Sequence, residues 1–251
     1  MRKLIDLPSK ESSKVAGKVG VSRKHESAEK HVSGKALYID DRPVMANHLH
    51  GAIGQTTIAH GIVKSIDLSK VKAAPGVVDV LVAGDVPGHL DIGPVFKGDP
   101  VLVSDKVEFM GQALFAVAAT SHEAAVKAAK LAVVEYEELD PVLSVKDALA
   151  KKSFVRPTHT QSRGDAPTAF DSSEHVLEGE LKIGGQEHFY LEGQISSAEP
   201  TEDGGMIIYT SSQHPSEVQI LVAEVLDIPF NKVVVDMRRM GGGFGGKETQ
   251  A

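Results

Sequence analysis

Two short apolar runs, separated by a helical pattern, lead directly into a glycine-rich loop near residue 241. The runs at 206–210 (MIIYT) and 232–237 (KVVVDM) consist mainly of branched apolar residues, which is typical of buried strands. Pro215 lies between them and suits the first turn of a helix. The predicted buried face of that helix consists of Val218, Leu221, Val222 and Val225. Because such crossovers are nearly always right-handed, the pattern predicts a β-α-β unit with parallel strands.

An earlier part of the chain alternates between strand and helix patterns in the same way. The apolar runs at 76–82 and 113–118 predict strands, and Ser121 then follows as a candidate helix N-cap. Alanines at i, i+3, i+4 and i+7 indicate one apolar helix face, formed by Ala125, Ala128, Ala129 and Ala132. Residues 134–137 alternate between apolar and charged, which predicts a half-buried strand. These elements indicate a mixed α/β (α+β) fold with an α/β layer.

Composition divides the chain into two structured parts. Residues 1–17 are polar and rich in Lys and Ser, and residues 151–172 contain scattered Pro and Gly without periodicity. The predicted organisation is a flexible lead-in over 1–17, a first domain over 18–150, a linker over 151–172 and a second domain over 173–251. Within the second domain, β-rich segments are predicted at about 176–183 and 186–199.

The composition also excludes several classes of site. The 251 residues include no cysteine, which excludes disulfides, thiolate metal sites and cysteine nucleophiles, so any iron–sulfur cluster must lie on a partner. The formal net charge of -7 argues against a nucleic-acid partner. No run approaches the roughly 20 apolar residues of a membrane-spanning helix. Asp6 and Pro8 interrupt the apolar run that a signal peptide needs, so we expect a cytoplasmic protein that does not bind membranes.

Several kinds of site are compatible with the glycine loop, whose sequence over 241–248 is GGGFGGKE. A phosphate-binding P-loop needs Ser or Thr at the position of Glu248, whose charge would repel a phosphate. Gly241, Gly243 and Gly246 have the spacing of a dinucleotide fingerprint, but residues 247–251 do not supply the helix that must follow. A loop that presents its backbone and Glu248 to a different cofactor, or a surface turn without a ligand, remains open. A plain turn, however, does not need five glycines in six positions.

Other candidate metal motifs are incomplete. The pairs His25-Glu26 and His122-Glu123 begin the zinc-protease pattern, but neither is followed by the second histidine. His188 and Glu192 are four positions apart in a segment predicted to be extended, and we interpret them as structural. Spacing alone indicates no Ser–His–Asp arrangement.

Two longer stretches resemble the first signature stretches of the xanthine dehydrogenase and xanthine oxidase family. They are GGQEHFYLE at 184–192 and RMGGGFGGKET at 239–249. The region before the linker resembles the α/β hammerhead domain of the same family. Its similar segments are GKALYIDD at 34–41, AHG at 59–61, PGVV at 75–78 and GQ at 111–112 with the alanine-rich helix that follows. The resemblance therefore implies a hammerhead domain followed by the beginning of a molybdopterin-binding domain.

The resemblance also implies roles for individual residues. It implies that the amide of Gln186 hydrogen-bonds an oxygen ligand of molybdenum, and that the backbone N–H of Phe244 lies close to the same metal centre. Gly243 and Gly245 are then cofactor-binding residues on either side of Phe244. Glu248 matches the glutamate that orients a purine, whereas aldehyde-oxidising relatives usually have an apolar residue there.

The same resemblance implies hypoxanthine or xanthine as substrate, molybdopterin as cofactor, and FAD and 2Fe–2S clusters on partner subunits or segments. The family's catalytic base glutamate and most of its pterin contacts are expected beyond Ala251, so we expect no catalytic residue within the chain. We therefore expect the isolated chain to be inactive and to need the remaining C-terminal molybdopterin-binding portion. A truncation, a split subunit and a fragment all remain open. An alternative is a non-catalytic assembly module that docks the other subunits.

Overall fold

The computed structural model describes residues 19–248, and the predicted lead-in over 1–17 lies outside the described residues. The described part contains nine strands in three sheets. The strands are β1 (His50–Gln55), β2 (Gly61–Asp67), β3 (Val77–Val82), β4 (Lys106–Val107), β5 (Ala113–Ala119), β6 (Val133–Glu138), β7 (Ser196–Pro200), β8 (Met206–Thr210) and β9 (Val233–Asp236). The α-helices of the same part are α1 (Ala28–Val32), α2 (Ser69–Lys72), α3 (His122–Ala129), α4 (Val145–Ala150), α5 (Ala166–Asp171) and α6 (Pro215–Leu226).

The first part of the fold contains two antiparallel sheets. One has the strand order β1-β5-β3 and the other β4-β2-β6. Strand β5 is central, and its side chains Leu114, Phe115 and Val117 are buried in the main core. The predicted strands at 76–82 and 113–118 are confirmed as β3 and β5.

Helix α3 begins as predicted but ends earlier. The Ser121 side chain accepts a hydrogen bond from the Ala124 N–H, so Ser121 is the N-cap. The helix ends at Ala129, although Ala132 beyond it still packs against the core. The flanking strands β5 and β6 lie in different sheets, so the predicted strand–helix–strand order does not form a single parallel layer here.

Close packing of β1 on β5 leaves no room for a side chain at Gly54. A Cβ built at Gly54 overlaps the ring of Phe115, its cross-strand partner, whereas Gly51 on the same strand has open space. We expect Gly54→Ala to lower the free energy of unfolding by about 1–3 kcal/mol, because the buried ring must move. Gly51→Ala is the matched control and should not lower it. Urea denaturation of both variants measures the difference, and equal midpoints would contradict this packing.

The segment that joins the two parts contains less strand than the sequence predicts. The predicted linker at 151–172 contains the short helix α5, whose N-cap Asp165 accepts a hydrogen bond from the Thr168 N–H. The predicted strand at 176–183 is wrong, and the segment is irregular and exposed. Of the predicted 186–199 segment, only its end forms a strand, β7. No strand within residues 19–248 pairs with 176–183. Without a partner strand, the backbone N–H and C=O groups of this segment have no ladder of hydrogen bonds to form.

The second part contains the predicted crossover. Strands β8 and β9 are parallel neighbours joined by α6, and β7 adds an antiparallel edge strand. Pro215 occupies the first turn of α6, as the sequence predicts. A small core between the helix and the sheet is centred on Ile208, Ala223 and Val233. The β-α-β unit is therefore confirmed, and it directs the end of β9 into the glycine loop.

Among the described residues, no helix combines the length and the apolar character that crossing a bilayer requires.

Candidate functional site

The glycine loop follows β9 at the carboxyl end of the parallel pair β8 and β9. Ligands of open α/β sheets usually bind at this edge, because the loops that leave the strands converge there. The loop lies against two other segments: residues 188–194, which precede β7, and residues 211–213, which follow β8. The topology thus assembles three stretches that are distant in sequence into one region.

Glycine is required in the loop because other side chains approach its backbone closely. A Cβ built on Gly242 would lie 2.9 Å from the Cβ of Tyr190, and one on Gly246 would lie 2.8 Å from Cε1 of the same ring. The Gly246 Cβ would also lie 3.0 Å from Nδ1 of His188. Real Cβ atoms do not tolerate such distances, so the loop can pack on 188–192 only without side chains.

The carboxylate of Glu192 holds the first residue of the loop. Its Oε2 accepts hydrogen bonds from the Gly241 N–H at 2.6 Å and from the Ser211 hydroxyl at 2.6 Å. Its Oε1 accepts a third from the Ile39 N–H at 3.4 Å. The interpretation of Glu192 as a structural residue agrees with these contacts, since both oxygens are used within the protein.

Lys247 at the other end of the loop is completely buried. Its Nζ donates to Ser211 Oγ at 2.6 Å, lies 3.8 Å from Glu192 Oε2, and is 4.7 Å from the centre of the Tyr190 ring. Burial lowers the pKa of the Lys247 ammonium, and the Glu192 carboxylate partly offsets that shift. A buried ammonium needs such partners, because an unpaired charge in the interior is very costly.

The side chain of Gln213 orders the second half of the loop. Its Oε1 accepts hydrogen bonds from the N–H of Gly245 at 2.8 Å and from the N–H of Lys247 at 3.2 Å. The Gln213 N–H donates to the Lys247 carbonyl at 2.7 Å. A turn closes between them, with the Gly246 N–H donating to the Gly243 carbonyl at 2.8 Å. Both ends of the loop are therefore fixed by protein acceptors.

The middle of the loop has backbone donors without a protein acceptor in the described part of the chain. The N–H groups of residues 242–244 make no hydrogen bond within the described residues 19–248. Phe244 lies in the left-handed region with φ 53°, and the residue is 75% exposed, so burial of its side chain does not account for that conformation. Neighbouring backbone donors in glycine-rich turns form concave sites for anionic or oxo groups. The arrangement can bind such oxygen atoms with neutral donors.

The predicted site residues differ in their exposure to solvent and in their contacts. Gly243 is buried against Gln213, whereas Phe244, Gly245 and Glu248 are exposed. Gln186 is also exposed, in an irregular segment. Residues 188–192 from its signature stretch contact the loop, but the approach of the Gln186 amide itself to Phe244 stays a prediction.

Glu248 lines a cavity of about 820 Å³ between the two parts of the fold. The apolar face of α6 forms one wall, and the other wall comes from the first part of the chain, including Ile53 and Phe109. Gln194 also lines this cavity, but Gln186 and Phe244 do not. Asp99 and Glu217 also line it, so three acidic residues border this otherwise mainly apolar space. A mostly apolar ligand with hydrogen-bond donors would find acceptors for orientation there.

Sequence reasoning missed the residues that hold the loop: Glu192 as its acceptor, Ser211, Gln213 and the buried Lys247. The sequence carries no clear signal for them, because a lysine beside glycines is usually exposed to solvent and the other three residues are distant in sequence. Within residues 19–248, no group of three or more His, Asp or Glu side chains is arranged to hold a metal ion. The backbone N–H donors of the loop suit the oxygen atoms of a bound group.

Two family models match the chain. Residues 33–140 match the a/b hammerhead domain of aldehyde oxidase and xanthine dehydrogenase, and residues 148–251 match the molybdopterin cofactor-binding domain. The chain is 42% identical to xanthine dehydrogenase of Dictyostelium discoideum over 228 residues, which cover 91% of this chain and 17% of that protein. It is 41% identical to aldehyde oxidase 3 of Rattus norvegicus over 228 residues, covering 90% of this chain and 17% of that protein. The chain thus spans about a sixth of the length of these relatives.

Solved structures of two oxidoreductases share the fold of this chain. Quinoline 2-oxidoreductase from Pseudomonas putida 86 superimposes with a TM-score of 0.77 at 29% identity, over 92% of this chain and 31% of that chain. Aldehyde oxidoreductase from Desulfovibrio gigas superimposes with a TM-score of 0.76 at 28% identity, over 88% of this chain and 27% of that chain. The mixed α/β architecture is therefore shared with these oxidoreductases.

Proposed function

Because the chain belongs to the aldehyde oxidase and xanthine dehydrogenase family, by matches over residues 33–140 and 148–251, we propose that it is part of a molybdenum hydroxylase. Its complete protein would oxidise hypoxanthine or xanthine at a molybdenum–pterin centre. One observation carries the proposal. The glycine loop is fixed at both ends, but the N–H groups of 242–244 have no acceptor within residues 19–248. These donors fit the oxygen atoms of such a centre.

The residues of the chain would bind and orient the cofactor. Phe244, between Gly243 and Gly245, would present its backbone N–H to an oxygen atom on the metal, and the Gln186 amide would donate to another. When bound, the molybdenum centre supplies the two-electron oxidation, which the side chains of this chain cannot perform. Donors fixed in advance need no reorganisation as charge develops, and this is how the loop would lower the barrier.

The choice of a purine rests on Glu248. Relatives named xanthine dehydrogenase and aldehyde oxidase match the chain almost equally well, at 42% and 41% identity, so overall similarity does not separate the two substrates. Glu248 is one of three acidic residues, with Asp99 and Glu217, on the otherwise mainly apolar cavity wall, and it is the one that belongs to the glycine loop. A carboxylate accepts hydrogen bonds from the ring N–H groups of a purine, which an aldehyde does not offer. The carboxylate therefore favours the purine.

Other parts of the machinery would lie outside these residues. The chain covers 17% of the length of the Dictyostelium discoideum relative. We propose that FAD and 2Fe–2S clusters on partner subunits or segments accept the electrons, and that the base glutamate belongs to the remaining molybdopterin-binding portion. Iron–sulfur ligation by cysteine cannot come from residues 1–251, which contain none.

The proposal is tested by comparing residues 1–251 alone with the full-length protein. We expect the full-length protein to contain molybdenum and pterin and to convert xanthine to urate, measured by metal analysis and by absorbance. Residues 1–251 alone should contain no molybdenum and should be inactive, because the base and most pterin contacts would be missing. Co-expression with the remaining portion should restore both properties.

A full-length protein without molybdenum would overturn the proposal. It would instead favour the alternative of a non-catalytic assembly module, in which residues 1–251 would still bind the other subunits during co-purification. Molybdenum in residues 1–251 alone would show that the cofactor needs fewer contacts than we propose.

A further inference from the structure

A buried chain of polar groups connects the two ends of the glycine loop. We infer that Lys247, Ser211 and Glu192 are positioning residues, whose paired charges hold the loop in the one conformation that presents its free N–H groups. The inference rests on the proposed function only where it predicts an effect on catalysis. Its structural part concerns the loop alone and can be tested without the cofactor.

The connection is continuous from one end of the loop to the other. Lys247 Nζ donates to Ser211 Oγ at 2.6 Å, and the Ser211 hydroxyl donates in turn to Glu192 Oε2 at 2.6 Å. The same oxygen accepts the Gly241 N–H at 2.6 Å. Residues 241–247 are therefore closed into a ring by side chains, in addition to the backbone.

The charges in this ring are shielded from solvent. The Lys247 side chain is 0% exposed and that of Glu192 is 11% exposed. A buried ion pair contributes little net stability compared with apolar residues of similar size, but removal of one partner leaves an uncompensated charge. The pair is therefore better explained by the conformation it fixes than by the stability of the fold.

The fixed conformation is one that the loop would not adopt unaided. Phe244 has φ 53°, which a residue with a Cβ rarely adopts, and its exposed ring adds little packing to favour it. Such a backbone persists only where the surroundings determine it. The hydrogen bonds of Glu192 before Phe244 and of Gln213 after it provide that determination. If the ring opens, we expect the backbone of 242–244 to lose this constraint.

The test uses three variants of the full-length protein. Lys247→Met removes the ammonium but keeps the length of the side chain, so Glu192 is left unpaired. The double variant Glu192→Gln/Lys247→Met removes both charges, and the amide oxygen at 192 can still accept from Gly241. Lys127→Met is the control, because Lys127 pairs with Glu123 on the surface, with side-chain exposures of 74% and 76%.

Two measurements are made on each variant. Hydrogen exchange of the 241–248 peptide, on protein prepared without cofactor, reports the loop alone. We expect Lys247→Met to accelerate that exchange about tenfold and to leave the peptide of β5 unchanged. With cofactor, we expect kcat per bound molybdenum to fall about tenfold while KM changes little. The reason is that the variant misaligns the N–H donors of the loop and does not alter the contacts that bind substrate. The double variant should recover most of both properties, and Lys127→Met should match the wild type.

Wild-type exchange in Lys247→Met would overturn the inference, and so would a double variant no better than the single one. If Lys247→Met fails to fold, the double variant decides alone, since it must then fold with a protected loop. If the wild type proves to hold no molybdenum, the proposed function fails. The exchange result still decides whether the charge pair positions the loop.

Discussion

Glu248→Ala is expected to lower kcat/KM for xanthine by about a hundredfold to a thousandfold in the full-length protein, with molybdenum content unchanged. The substitution removes the carboxylate that we propose orients the purine in the cavity next to α6. Loss of one fixed polar partner at a reacting group typically has an effect of this size. Molybdenum should stay bound, because the carboxylate side chain of Glu248 makes none of the contacts that fix the loop.

The control for this experiment is Glu202→Ala. Glu202 is an exposed glutamate in the turn between β7 and β8, at the end of β8 opposite to the glycine loop. The Glu202→Ala variant should retain wild-type kcat/KM. This result separates the effect of the carboxylate's position from the effect of a change in net charge. Glu248→Leu should lower xanthine oxidation as strongly, and it should spare any oxidation of an aldehyde. Full xanthine activity in Glu248→Ala would show that the substrate role is assigned to the wrong residue.

Elements that depend on local patterns could be predicted from the sequence. The strand predicted at 206–210 is observed as Met206–Thr210, and the run at 232–237 as Val233–Asp236. Helix α6 begins at the expected proline. The hydrophobic periodicity and the turn residues that predict these elements lie within a few positions along the chain. These predictions therefore need no knowledge of the tertiary structure.

Elements that depend on distant partners could not be predicted in this way. Residues 176–183 have a composition compatible with a strand, but they pair with no strand of the described part. Conversely, Lys247 has the composition of a surface residue and is fully buried. Its partner Ser211 is 36 positions away, and Glu192 is 49 positions from the loop residue that it holds. Spacing along the chain carries no information about such contacts.

The candidate site shows the same division. The loop and Glu248 can be predicted from their residues, because a run of glycines after a strand has a direct physical meaning. The network that holds the loop was not identified, since Ser211 and Gln213 are ordinary residues in an unremarkable sequence. The purine assignment came only from the resemblance to a family. A position on a cavity wall supports that assignment, and the substitutions above decide it.

Gly242→Ala is expected to weaken retention of the molybdenum cofactor about a hundredfold, so that purified full-length protein contains little molybdenum. Gly242 has φ 106°, and an added Cβ would lie 2.9 Å from the Cβ of Tyr190. The backbone strain costs about 1–3 kcal/mol and the crowding adds about as much again, so the loop must shift. That shift moves the N–H groups of 242–244, on which cofactor binding is proposed to depend.

Gly204→Ala separates the two causes, because Gly204 also has a positive φ, 77°, but has no neighbour within 4 Å of its Cβ. The Gly204→Ala variant strains the backbone of the turn before β8 but does not crowd the glycine loop. This variant should therefore keep its molybdenum. Metal analysis of both variants, with the pterin measured by fluorescence after oxidation, makes the comparison. If Gly242→Ala keeps its molybdenum while hydrogen exchange shows a displaced loop, the free donors of 242–244 do not bind the cofactor. In that case Gly242 serves only the packing of the loop against Tyr190.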